Sequence, residues 1–172
     1  MIEETELIYR EEQRFGSWLR WLIALSMALA VLFSIFSLTK MLSDQGQPKI
    51  LPIILLITAG ICVPIAVALL FWVLKLETEV RSDGLYIRFF PAHIHFKRFT
   101  AEDLSEYYAR KYKPLLEYGG WGIRCSLRKG KAYNVSGNKG VQLVFISGKQ
   151  LLIGSQRAEE LEEAIRSIME SN

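Results

Sequence analysis

The residues whose types and spacing could do chemistry are few, and they fall in the second half of the chain. His93 and His95 stand two apart on a run that alternates in the manner of a strand, so both imidazoles face one side. That spacing can chelate a metal, but no Cys, Asp or third His is placed beside them, and a pair of exposed sheet histidines is the simpler reading. Ser, Cys and His can be combined into a triad on paper, yet no nucleophile elbow flanks any of them. Gly119, Gly120 and Gly122 do not form a phosphate loop: no Lys-Ser/Thr follows, and a strand comes next. Asn134-Val135-Ser136 spells a glycosylation acceptor, which a cytoplasmic domain never presents to that machinery. No catalytic residue, cofactor or metal site is therefore assigned.

Basic residues interleaved with aromatics offer a different chemistry. Arg124, Arg128, Lys129 and Lys131 gather on one hairpin with Trp121 and Tyr133 beside them. Such a patch can hold anionic lipid headgroups or a partner, each base near a membrane surface being worth about 1 kcal/mol. A solvated hairpin tip is the competing reading. Tyr107, Tyr108, Lys111, Tyr112 and Lys113 form a second surface of the same kind. The net charge of +3 does not by itself call for nucleic acid.

The elements that position these residues hang on two apolar stretches. Trp21 to Leu38 and Ile50 to Leu74 contain no Asp, Glu, Lys, Arg or His. A bilayer core about 30 Å thick needs about 20 apolar residues in a helix, and in lipid a helix satisfies its own backbone. Spans over about 20–39 and 50–74, within a hairpin unit 18–75, are expected. Trp18, Arg20, Trp21, Trp72 and Lys75 sit where interface anchors belong. The first stretch has no small-residue cleavage site after it, which favours a retained anchor over a signal peptide.

Residues 40–49 carry Gly46 and Pro48 and read as a short turn, making the helices antiparallel neighbours. Pro64 predicts a kink, and Ala59, Gly60, Ala66 and Ala68 a small-residue face for contact with a membrane partner or a second copy. No ionisable residue lies within the spans, which argues against transport. Arg10, Arg14 and Arg20 precede the first span, and Lys75, Arg81 and Arg88 follow the second, against Lys40 and Lys49 between them. Both termini are thus expected in the cytoplasm of a plasma membrane protein. There Cys62 and Cys125, one in lipid and one in the soluble part, stay reduced.

Residues 1–17 read as a charged cytoplasmic tail, with Glu11 to Arg20 able to form a short helix into the membrane. From Leu76 the pattern becomes alternating. Strands are expected over Leu76–Arg81, Leu85–Phe90, His93–Phe99, Ile123–Leu127, Ala132–Val135, Val141–Ile146 and Gln150–Ile153. Leu104 to Tyr112 suits a short strand or one helical turn equally. Glycines at the turns between short strands indicate an antiparallel sandwich or barrel. A helix over 157–170 places Leu161, Ala164, Ile165 and Ile168 on one face, with Ser155 as its N-cap.

A membrane hairpin followed by this sheet domain resembles the bacterial pleckstrin-homology-like (PH-like) membrane proteins. The resemblance lies in Gly119-Gly120-Trp121-Gly122-Ile123-Arg124, in the run from Lys131 to Val141, and in Leu151-Leu152-Ile153-Gly154-Ser155. It implies an α+β membrane protein with a cytoplasmic PH-like β domain over 76–172. It brings no catalytic residues, because that fold hosts lipid, peptide and protein binding alike. The function expected is a non-enzymatic, membrane-anchored binding or scaffold module. The alternative is an accessory subunit of a larger membrane complex, assembled through the hairpin, with homo-oligomers allowed.

Overall fold

The computed structural model describes residues 6–43 and 50–170. The expected turn falls largely at 44–49, and the side chain of Trp18 is also outside what is described. The chain divides into two compact units, Phe15–Val73 and the combination of residues 1–14 with Leu74–Asn172.

The helical unit holds α1 (Ser17–Ser43), α2 (Ile50–Ile57), a π-helical turn (Thr58–Cys62) and α3 (Val63–Val73). Arg20–Met41 and Pro52–Val73 are each 22 residues long, with mean hydropathy 2.3 and 2.8, and are long and apolar enough to cross a membrane. The π-turn precedes Pro64 immediately, and Val63 N–H reaches back to the carbonyl of Thr58. A proline ring clashes with the carbonyl four residues before it, here that of Gly60. Widening that turn is a known accommodation. Ser26 and Ser34 donate to the carbonyls of Ile23 and Ala30 in their own helix, as expected of hydroxyls in apolar surroundings.

Gly60 packs inward, onto the partner helix of the same chain. A Cβ added there would lie 1.8 Å from Ser34 Oγ. The small-residue face expected to receive a foreign helix is, at Gly60, occupied by α1. A Gly60→Leu variant should therefore force α1 and α3 apart. The expected outcome is a lower unfolding temperature of the full chain in detergent, with Ala59→Leu, at an exposed position, nearly neutral.

The second unit is built from two sheets. The first has the order β1-β2-β3-β4: β1 Leu7–Arg14, β2 Lys75–Arg81, β3 Gly84–Phe90 and β4 Lys97–Phe99, all antiparallel. The second has the order β5-β8-β9-β7-β6: β5 Leu104–Lys111, β6 Gly122–Ser126, β7 Gly130–Asn134, β8 Lys139–Phe145 and β9 Gln150–Gly154. Helix α4 (Pro114–Tyr118) lies between β5 and β6 in sequence, and α5 (Ala158–Glu170) closes the chain. Leu76, Val80, Leu85, Ile87, Leu143 and Ile153 from the sheets are fully buried, as are Leu161 and Ile165 from α5.

Three expectations change. Residues 7–14 are neither a solvated tail nor a helix but an edge strand, paired with β2 from Leu7↔Arg81 to Arg14↔Lys75. Its inward positions are Tyr9, Glu11 and Gln13, all buried. The second sheet is mixed rather than antiparallel, because β9 inserts between β8 and β7 and runs parallel to β7. Leu151, Leu152 and Ile153 are buried in succession, as a central strand covered on both faces requires. Of the expected strand His93–Phe99, only Lys97–Phe99 pairs, with Leu85–Ile87 of β3. Of the two alternatives for Leu104–Tyr112 the strand forms, as β5, and a short 3₁₀ turn at Ala101–Asp103, with Thr100 and Asp103 capping each other, leads into it.

Candidate binding groove

The β6–β7 hairpin carries most of the basic residues singled out in the sequence, but strand alternation divides them between two faces. Cys125 pairs with Lys131, and Ile123 with Tyr133, on one face; Arg124 pairs with Ala132 on the other. Ala132 is buried there with Tyr112, Tyr118 and Leu152. Arg124 Nε donates to the carbonyl of Trp121 at 2.9 Å, and Trp121 Nε1 donates to that of Gly137 at 3.1 Å. Arg124 is thus turned away from the face that holds Lys131 and Tyr133.

That face opens a groove of about 750 Å³. Its cations are Lys97 from β4, Arg128 and Lys131 from the β6–β7 hairpin, and Lys149 from the β8–β9 turn. Asp103 is the one acid lining it. Phe99 and Phe145 supply an apolar wall, their ring centroids 5.3 Å apart, and Leu127 and Leu151 extend it. Gly130 lets the hairpin pass close to β9: its φ is +72°, and a Cβ would lie 2.3 Å from the carbonyl oxygen of Gln150.

The charges in the groove are weakly compensated. Lys97 Nζ donates to the hydroxyl of Tyr133 at 3.1 Å and lies 5.5 Å from the ring centroid. The side chains of Arg128, Lys131 and Lys149 make no hydrogen bond or ion pair among the described residues. His93 meets the ring of Tyr133 edge-on at 5.4 Å, and its Nδ1 is buried without a partner. Burial, then the charges of Lys97 and Lys131, hold the His93 imidazole below the usual histidine range. His95 is exposed and does not share that environment. Among the described residues no three His, Cys, Asp or Glu side chains come together as a metal set.

The other candidates fall elsewhere. Lys129 is exposed at the hairpin tip outside the groove lining. Tyr112 is buried in the core of the outer face, while Tyr108, Lys111 and Lys113 are exposed and Tyr107 is half-buried. Nearby, Arg110 donates to Gln142, Glu117 and the Tyr118 hydroxyl at 2.9–3.1 Å. Of the expected membrane anchors, Trp21 and Trp72 are exposed, and the Arg20 guanidinium stands 5.8 Å from the Trp72 ring centroid. Lys75 is the first residue of β2, ion-paired with Glu77 at 2.6 Å and Glu12 at 3.1 Å. Sequence reasoning missed Lys97, Phe99, Phe145 and Lys149, which come to the groove from separate segments. Their only sequence signal is a cation two or more residues from an aromatic, which is too common to single out.

An α+β chain with two helices apolar enough to span a membrane, two sheets and a C-terminal helix is the class these features define. The chain belongs to DUF6141, a family of unknown function, whose model matches residues 2–172. No curated protein and no solved structure matches it.

Proposed function

We propose that the protein is a non-enzymatic binding module anchored in the plasma membrane, its sheet domain held at the cytoplasmic face and its groove the working surface. The observation that carries this reading is the set of unpaired cations, Arg128, Lys131 and Lys149, converging on an aromatic wall. Cations without acidic partners attract an anionic ligand, and tethering at a membrane raises the local concentration so that modest affinity suffices.

The pairing of β1 with β2 supports the placement. Arg14 and Lys75 are register partners on either side of the apolar segment. The chain leaves and re-enters one sheet at the same place, which fits two crossings with both ends on one side. The excess of Arg and Lys at those ends over Lys40 and Lys49 supports the cytoplasm as that side. Two sheets followed by an amphipathic C-terminal helix support a PH-like domain, in a version with a parallel strand pair and with the membrane hairpin inserted after the first strand. For the alternative, an accessory subunit assembled through the hairpin, Gly60 is taken up by Ser34, and Ala59 and Ala66 of the small-residue face are exposed.

The test is purification of the full chain in mild detergent, comparing what co-elutes from wild type, from Arg128→Glu with Lys131→Glu, and from Arg124→Glu on the opposite face. The groove variant should lose the co-eluting species and the Arg124 variant should keep it. Equal recovery from all three contradicts the assignment of the groove.

A further inference from the structure

The tips that flank the groove add a feature that charge alone does not explain. Leu127, at the β6–β7 turn, is fully exposed, and Ile146, at the β8–β9 turn, is 71% exposed. Each is followed by cations or a short turn leading to one: Leu127 by Arg128 and Lys129, and Ile146 by Ser147, Gly148 and Lys149. Both turns border the groove, through Leu127 and Arg128 on one side and Ser147 to Lys149 on the other. A soluble ligand leaves such side chains in water. A bilayer surface receives them, because the apolar tips enter the acyl boundary while the adjacent cations meet the phosphates.

Resting on the reading of the groove as the working surface, we propose that it holds the headgroup of an anionic phospholipid. The phosphate lies among Lys97, Arg128, Lys131 and Lys149, and Leu127 and Ile146 enter the apolar layer. The charge complementarity is direct: four cations and a single acid line the groove. Phe99 and Phe145 give the glycerol and first methylenes an apolar wall. A free phosphate ester satisfies the cations but leaves the apolar tips unused, and a protein partner has no need of a phosphate.

His93 provides a reporter beside the site, packed against Tyr133 of its lining. The chain has two histidines, so its imidazole spectrum is simple, and exposed His95 is an internal control. An anion settling beside Lys97 and Lys131 offsets the charges that disfavour protonation of His93, so its titration moves to higher pH.

The experiment follows both imidazoles by NMR in the full chain, in a zwitterionic detergent. The additions are dihexanoyl phosphatidylglycerol, dihexanoyl phosphatidylcholine, glycerol phosphate and inorganic phosphate. Phosphatidylglycerol should raise the His93 titration and leave His95 in place, with the other three much weaker. Lys131→Ala with Lys149→Ala should weaken that binding about thirtyfold. Leu127→Ser with Ile146→Ser should weaken it about tenfold or more. All four residues are exposed or on turns, so unchanged unfolding temperatures exclude misfolding as the cause. An equal response to glycerol phosphate or inorganic phosphate, or no response to any addition, overturns the lipid assignment. If in the latter case the groove variants still lose a co-purifying protein, the wider reading stands and only the ligand class fails.

Discussion

Cutting out residues 15–74 and joining Arg14 to Lys75 through Asn-Gly should convert the chain into a water-soluble, folded domain. Arg14 and Lys75 are cross-strand partners, so a two-residue type I′ turn fits between them without altering the ladder. The sheet unit buries its own core, with Leu76, Val80, Leu85 and Ile87 from the first sheet and Leu143, Leu152 and Ile153 from the second. It therefore needs no apolar surface from the excised segment. The companion fragment 76–172 should fail, although it contains every strand but one and the C-terminal helix. It lacks β1, and with it the strand that covers the edge of β2 and the side chains of Tyr9, Glu11 and Gln13 that reach the β9–α5 junction. Losing a whole edge strand with these contacts is comparable with the roughly 5–15 kcal/mol that holds a domain together. Cooperative thermal unfolding and dispersed NMR spectra for the joined domain, with aggregation of 76–172, are the expected results. A well-folded 76–172 fragment contradicts the structural role of β1.

The second large effect concerns Glu11. Its carboxylate accepts from the Tyr9 hydroxyl at 2.7 Å, the Ser155 hydroxyl at 2.6 Å and the Gln156 backbone N–H at 2.8 Å. Ser155 Oγ in turn accepts from Arg157 N–H at 3.0 Å. The buried acid thus fastens the first strand to the entry of α5, where a negative charge also meets the helix N-terminus favourably. Burial pushes the Tyr9 phenol well above its ordinary range, so Tyr9 stays a donor to Glu11. Glu11→Ala leaves Tyr9 and Gln156 N–H without their acceptor in a buried place. The cost is about 3 kcal/mol, which lowers the unfolding temperature of the joined domain by roughly 10 °C or more. Glu163→Ala, on the exposed face of α5, should change it by no more than about 0.5 kcal/mol. Differential scanning calorimetry of the variants decides the matter, and equal melting of both would remove Glu11 from its assigned role.

The sequence shows some of these features well and others hardly at all, for physical reasons. The two apolar helices are legible because nothing charged interrupts either stretch, and α5 because Leu161, Ala164, Ile165 and Ile168 recur at helical spacing. Strand β1 is hidden because its inward positions are Tyr9, Glu11 and Gln13 rather than aliphatic residues. Their burial depends on partners such as Ser155, 144 residues away from Glu11, and local pattern carries no trace of them. The central place of β9 was available in the run Leu151-Leu152-Ile153, which is apolar on successive rather than alternate positions. The groove is half legible. Arg128, Lys131 and Tyr133 stand out on one hairpin, but alternation turns Arg124 to the other face. Lys97, Phe99, Phe145 and Lys149 join only when β4 and the β8–β9 turn are brought up to that hairpin.

Thiol labelling in living cells tests the membrane placement most directly. Cys125 is exposed on the sheet domain, Cys62 lies in the second apolar helix, and Ser43 ends α1 at the far side of the first. A membrane-impermeant maleimide applied to intact cells should label Ser43→Cys and leave Cys125 untouched until the cells are opened. Labelling of Cys125 from outside, or recovery of the full chain in the soluble fraction without detergent, would contradict the account.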